Sequence, residues 1–132
     1  MVDGSARQRA CGLIEGLWKD DTVIKVGFDF ANDLRKLTRS HPTMTCFHSL
    51  TSFIDVQECA RSYSWVSDGL SLSLSNVALS VLGKQIDKSQ QMSDWELRPL
   101  RLEQVLYAAL DAHILVRIIQ DKRASFNLPS QL

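Results

Sequence analysis

Charge of one sign is what this sequence most plainly lacks. Its 132 residues carry 15 Lys plus Arg and 15 Asp plus Glu, for a formal net charge of zero. That balance argues against a protein held on nucleic acid by bulk positive charge, but it leaves room for a local basic groove beside an acidic site. Cysteine is also scarce. Cys11, Cys46 and Cys59 are odd in number and widely spaced, which argues against a disulfide framework and for a reducing intracellular setting, cytoplasm or nucleus. Cys46 and Cys59, with His41 and His48, match no closed four-ligand zinc pattern. No apolar run approaches the length that spans a membrane. Met1 to Arg9 has no apolar core behind its charges, so it is not read as a secretory signal. A Gly-rich phosphate loop and a nucleophile elbow are both missing. There is no repeat or low-complexity tract; Ser62 to Ser75 is serine-rich and reads as a loop entering a helix.

What is there is an ordinary globular composition, 45% hydrophobic and 23% charged, in a length that suits one domain with one core. Ala10, Leu13, Ile14, Leu17 and Trp18 recur at helical spacing, predicting an amphipathic helix from Arg9 to Lys19 that Asp20-Asp21-Thr22 breaks. Val23 to Phe28 is a short, nearly continuous apolar run and suits a buried parallel strand. A second helix opens at Asn32 and Asp33 and stops before His41-Pro42. After a less regular stretch, Phe53 to Val56 reads as a second strand. Leu72 to Leu82 fits a helix closed by Gly83, Asp87 to Pro99 a polar loop with a helical turn, and Leu102 to Gln120 the longest helix. The strand–helix–strand–helix order predicts an α/β fold whose two strands run parallel across a right-handed crossover. Two parallel strands leave an unpaired edge on each, so the pattern reads as part of a larger sheet.

Two places carry candidate chemistry. In the long helix, Tyr107 and Asp111 lie four apart and share a face, with Glu103 one turn earlier. Asp111 has Ala108, Leu110, Ala112, Ile114 and Leu115 for sequence neighbours, where a carboxylate is costly unless it is paired, protonated or bound to a cation. Helix geometry also permits the plainer reading, with Asp111 facing water on an exposed stripe. The second place is Asp33, in the first turn of a helix just past a strand end, where α/β proteins put their sites. There, too, Asn32 or Asp33 acting as a simple helix cap fits the pattern. Two carboxylates on separate elements plus a tyrosine make a sensible Mg²⁺ or Mn²⁺ site. Two such ions roughly 3.5–4 Å apart activate a water and stabilise the leaving oxygen of a phosphodiester.

Three stretches together resemble a known family. Lys25-Val26-Gly27 through Asp33-Leu34-Arg35-Lys36-Leu37 is similar to the second exonuclease motif of the RNase D and Werner-exonuclease group. Tyr107-Ala108-Ala109-Leu110-Asp111-Ala112 is similar to the third motif of the DEDDy 3′–5′ exonucleases, with tyrosine four before aspartate. Between them, Leu72-Ser73-Leu74, Val81-Leu82-Gly83-Lys84, Asp87-Lys88-Ser89, Ser93-Asp94-Trp95 and Arg98-Pro99-Leu100 match the run that leads into that third motif, most nearly in the Nibbler-like branch. The likeness covers about residues 10–121, which leaves 122–132 as a tail on a single partial domain spanning 1–132.

The resemblance implies a partial ribonuclease H-like fold, a truncated parallel sheet flanked by helices. It implies removal of nucleotides from the 3′ end of single-stranded nucleic acid, with RNA favoured by the branch, using two Mg²⁺ or Mn²⁺ ions. It assigns the metal roles to Asp33 and Asp111 and assistance of the attacking water to Tyr107. Lys84, Lys88 and Arg98 become candidate phosphate contacts and Trp95 a candidate base-stacking residue. Solvated lysines and a tryptophan pinning a loop account for the same four residues.

One departure bears on all of this. The family's first motif is an Asp-x-Glu on a strand ahead of the second motif, and no such stretch precedes Lys25. Asp94-Trp95-Glu96 lies on the wrong side of Asp33 in chain order. Without the ligand shared by both ions, hydrolysis by this chain is expected to be impaired. The alternative is a non-catalytic module derived from an exonuclease that binds nucleic acid or a partner protein. An exposed sheet edge would also invite self-association or strand addition.

Overall fold

The computed structural model describes residues 4–125, and they form two compact units that divide between Asp55 and Val56. The first unit holds the sheet. Its elements are α1 (Gly4–Lys19), β1 (Lys25–Gly27), α2 (Phe30–Ser40), a 3-10 turn at Thr45–His48, and β2 (Phe53–Asp55). β1 and β2 are parallel, with Lys25 opposite Phe53, Val26 opposite Ile54 and Gly27 opposite Asp55. The predicted strand–helix–strand order is therefore present, on a ladder shorter than the apolar run at Val23 to Phe28. The partner strand offers only three residues to pair with. Val23 instead turns back, its N–H donating to the Asp20 carbonyl at 3.3 Å, and is 38% exposed.

Aromatic rings hold this unit together. Trp18 meets Phe30 edge-on at 5.8 Å and Phe47 at the same distance, and Phe30 lies 5.0 Å from Phe53. Such pairs contribute about 0.5–1.5 kcal/mol each beyond the apolar area they bury. Gly27 is buried because Phe53 and Phe30 close over it, leaving no room for a side chain. The helix predicted over Arg9 to Lys19 begins earlier, at Gly4. Its apolar face is less covered than the spacing suggested: no α1 residue is buried, and Leu13 and Leu17 stay 77% and 51% exposed.

The second unit is helical: α3 (Val56–Ser62), α4 (Leu74–Leu82) and α5 (Leu102–Lys122), with a short 3-10 turn at Arg123–Ser125. These three helices pack on one another. Val56, Ala60, Val77, Ala78, Ile114, Ile118 and Ile119 are buried. α4 starts at the Ser73 cap, whose hydroxyl accepts from the Asn76 N–H at 3.2 Å. It ends where Gly83 adopts φ 64°, the left-handed position that glycine takes without strain. α3 went unrecognised in the sequence, since seven residues are too few to show a helical period. Residues 87–99 form turns rather than the helical turn expected. Of the proposed tail, Lys122 closes α5 and Arg123–Ser125 form the last turn, while 126–132 lie outside the described residues, as do Met1 to Asp3 of the amino-terminal stretch. No helix among the described residues is long and apolar enough to cross a membrane.

Candidate functional site

Asp33 stands in the first unit, on α2, and the way α2 begins decides what its carboxylate is doing. Asp29, the residue before the helix, takes a left-handed conformation (φ 49°, ψ 39°), and its side chain makes no capping bond. The cap comes from β2 instead. The Asp55 carboxylate accepts from the Asp29 N–H at 3.1 Å and from the Phe30 N–H at 3.0 Å, one on each oxygen. An anion therefore sits where the helix has donors without partners and a positive dipole end. Neither Asn32 nor Asp33 acts as the cap that the sequence left open. The Asp33 side chain is exposed, with a 3.8 Å ion pair to Lys36 one turn along. An exposed pair of that kind contributes little and breaks readily.

Tyr107 and Asp111 stand in the second unit, on α5. The helical spacing puts them on one side of α5, four residues apart. Both line a groove of about 180 Å³ with Lys88, Gln91 and the Ser73–Ser75 head of α4. Asp111 itself is neither fully exposed nor buried, its side chain partly covered in that groove. Loss of solvent pushes the Asp111 carboxyl above its ordinary range, and Tyr107 opposes that rise. Tyr107 is pushed above the ordinary tyrosine value by its own burial first, then by Asp111, then by Asp87. It is therefore a neutral phenol, a hydrogen-bond donor, at physiological pH.

Asp87 had no assigned role in the sequence reading. With Glu103, it lines an adjoining groove of about 270 Å³ on the other flank of Tyr107. Gln104 was missed as well. It is completely buried, and its side chain binds three backbone or hydroxyl groups. Nε2 donates to Ser93 Oγ and to the Asp94 carbonyl, each at 2.8 Å, and Oε1 accepts from the Arg101 N–H at 2.9 Å. Gln104 thus ties the loop before α5 to the helix that carries Tyr107 and Asp111. The sequence carried no clear signal for it: Gln104 reaches back to the amide of the residue three before, but that residue is Arg101 rather than the Ser or Thr of a capping box.

The four proposed nucleic-acid contacts part company. Lys88 shares the groove of Tyr107 and Asp111. Lys84 lines a different groove, with Leu110 and Arg117. Trp95 is half-buried, its ring 6.0 Å from that of Tyr107 and its Nε1–H donating to the Gln91 carbonyl at 3.4 Å. Arg98 donates to the Trp95 and Leu97 carbonyls at 3.0 and 2.7 Å, so its guanidinium serves its own loop. Among the described residues no three His, Cys, Asp or Glu side chains cluster as a metal cage.

The first unit thus has a β–α–β arrangement of the α/β class, and the second a long helix that carries a tyrosine and an aspartate four residues apart. Residues 2–122 match the 3′–5′ exonuclease family profile, so the chain belongs to the 3′–5′ exonuclease domain family. It is 34% identical over 122 residues to the exonuclease mut-7 homolog of Drosophila melanogaster, covering 83% of this chain and 20% of that protein. It is 32% identical over 130 residues to the human exonuclease mut-7 homolog, covering 89% of this chain and 14% of that protein. The crystal structure of the Aedes aegypti Nibbler EXO domain superposes with a TM-score of 0.77 at 27% identity, over 92% of this chain and 61% of that one. These likenesses place the chain on the Nibbler-like branch and its fold within the ribonuclease H-like exonuclease architecture. The chain spans only a part of each of these relatives.

Proposed function

We propose that Asp33, Tyr107 and Asp111 serve metal-dependent hydrolysis at the 3′ end of single-stranded RNA. The observation that carries this reading is that Tyr107 and the partly buried Asp111 line one groove with Lys88. A carboxylate kept from water gains most from a cation, and Mg²⁺ or Mn²⁺ takes hard oxygen ligands, commonly one or two carboxylates completed by waters and substrate phosphates. Asp111 suits that incomplete kind of ligation, and the likeness of its stretch to the family's second motif gives Asp33 the same role. When bound, such a cation polarises the phosphoryl oxygen and acidifies a water. Tyr107, as a phenol, orients the attacking water by donating or accepting a hydrogen bond rather than by removing its proton as a phenolate. Lys88 offers a point charge to a phosphate of the entering strand.

No Asp-x-Glu precedes Asp33 in this chain, so hydrolysis by the chain alone is proposed to be slow. The test follows 5′-labelled single-stranded RNA, and DNA of the same sequence, with Mn²⁺. The chain is compared with Asp111→Ala and Tyr107→Phe. Slow stepwise shortening of the RNA, lost in Asp111→Ala and reduced in Tyr107→Phe, supports the reading. Retained single-strand binding with no shortening by any of the proteins rejects it in favour of a non-catalytic binding module. Unchanged sedimentation of the chain across concentrations would remove self-association through the short β1–β2 sheet.

A further inference from the structure

A third groove in the helical unit has a different chemistry, and shares only Leu110 with the one that Asp87, Glu103 and Tyr107 line. It runs between the end of α4 and the second half of α5 and holds about 480 Å³, more than twice the volume beside Asp111. Its floor is aliphatic: Val81 and Leu82 from α4, Leu110 and Ile114 from α5. Its rim is basic. Lys84 follows the Gly83 cap, and Arg117 and His113 project from α5. All three are exposed, and neither Lys84 nor Arg117 is ion-paired among the described residues. The one acid on the rim, Asp121, lies 3.9 Å from Lys122 and is offset by it.

Spacing along α5 gives the groove a length. Leu110, Ile114, Arg117 and Asp121 follow the i, i+4, i+7, i+11 pattern of one helix face, which spans about 16 Å at 1.5 Å per residue. An extended peptide covers that distance in about five residues. The lining also weighs between two kinds of occupant. A single strand of nucleic acid gains most from stacking its bases on large rings, and this lining offers only His113 and the Arg117 guanidinium for that, with no Phe, Tyr or Trp, against four aliphatic side chains. An aliphatic trough flanked by unpaired cations matches a peptide that has an apolar anchor and acidic neighbours.

We propose that this groove docks an acidic segment of a partner protein. One Leu or Phe side chain seats on Leu82, Leu110 and Ile114, and Asp or Glu residues on either side face Lys84 and Arg117. The surface is independent of the nuclease reading, and its occupant would bind whether or not the chain hydrolyses RNA.

The test selects from displayed peptides of about eight residues with a central Leu or Phe and randomised flanks. The full chain is compared with the Lys84→Glu, Arg117→Glu double variant, whose changes are exposed; a Lys84→Gln, Arg117→Gln variant guards against a folding effect of charge reversal. Enrichment of acidic flanks is expected. The labelled selected peptide should lose about tenfold or more in affinity on charge reversal, less on neutralisation, and should weaken as salt rises. No enrichment, enrichment without acidic flanks, or an affinity unmoved by both double variants overturns the proposal. So does oligouridylate binding that disappears on charge reversal when no acidic peptide is selected. A dimer of the chain that the same charge reversal breaks assigns the groove to a second copy instead, and also overturns it.

Discussion

Replacing Asp55 by alanine tests how α2, and with it Asp33, is held. The Asp55 carboxylate accepts two backbone N–H groups, Asp29 at 3.1 Å and Phe30 at 3.0 Å, at the head of that helix. Hydrogen bonds to a charged group contribute about 1.5–3 kcal/mol each when the donor has no other partner. The Asp29 bond is exposed and the Phe30 bond half-buried, so water recovers much of the first and less of the second. Adding the loss of an anion at a helix N-terminus, about 0.3–1 kcal/mol, Asp55→Ala should cost about 2–3 kcal/mol. Asp55→Asn keeps one acceptor and the shape, and should cost about 1 kcal/mol. The assay is urea unfolding followed by Trp18 fluorescence, because Trp18 packs on Phe30, the first residue of α2. Trp65 and Trp95 lie in the other unit and are changed to Phe so that the signal is local. With a urea slope of about 2 kcal/mol per molar, the midpoint should fall by about 1–1.5 M for alanine and about 0.5 M for asparagine. A fall below about 0.3 M for alanine, or equal falls for both, would refute the idea that a charged bidentate cap anchors the helix.

Gly27→Ala should destabilise by about 1–3 kcal/mol, the cost of overpacking. Its Cβ would lie 2.8 Å from Phe53 Cζ and 3.1 Å from Phe30 Cβ, so one ring must move; a thermal melt read at Trp18 measures it. Gln104→Ala should cost about 2–4 kcal/mol by leaving the buried partners of its three bonds unmatched. Faster proteolysis within residues 87–101 should accompany that loss. Asp111→Asn should stabilise the fold at neutral pH. The folded-state pKa of Asp111 is raised, so the native state holds the proton more tightly than the unfolded chain. Stability from this group is then full below the unfolded carboxyl value and is lost as pH rises through the folded one. The advantage of asparagine over aspartate should therefore vanish at low pH, as denaturation midpoints measured from pH 3 to pH 8 would show.

Local patterns in the sequence were legible where one element determines the outcome. Tyr107 and Asp111 are four apart on a helix, so they meet whatever else the chain does. Gly83 ends α4 for a reason confined to its own backbone. What was not legible depends on residues distant in sequence. Asp55 caps a helix that starts 25 residues before it, and nothing at Asp29 through Asp33 points there. The local reading offered Asn32 and Asp33 as caps because both residue types favour that role. Gln104 is buried because Ser93 and Asp94, ten and eleven residues earlier, fold over it, and nothing within the helix itself points to that. The apolar positions of α1 were read correctly as helical, yet periodicity does not say whether a partner covers them. Leu13 and Leu17 show that it need not.

The same distinction bears on the chemistry. Burial raises the proton affinity of both Tyr107 and Asp111, and each acts on the other, Asp111 raising that of the tyrosine and Tyr107 lowering that of the acid. A divalent cation on Asp111 would draw the carboxylate's charge away from the phenol, and so remove one of the forces that hold the Tyr107 proton. The two residues would then be coupled through the metal as well as through their direct interaction. On this argument Tyr107→Phe should alter the apparent Mn²⁺ requirement of any hydrolysis as well as its rate. If tyrosine acted only on the water, the rate would fall and the metal requirement would stay where it was.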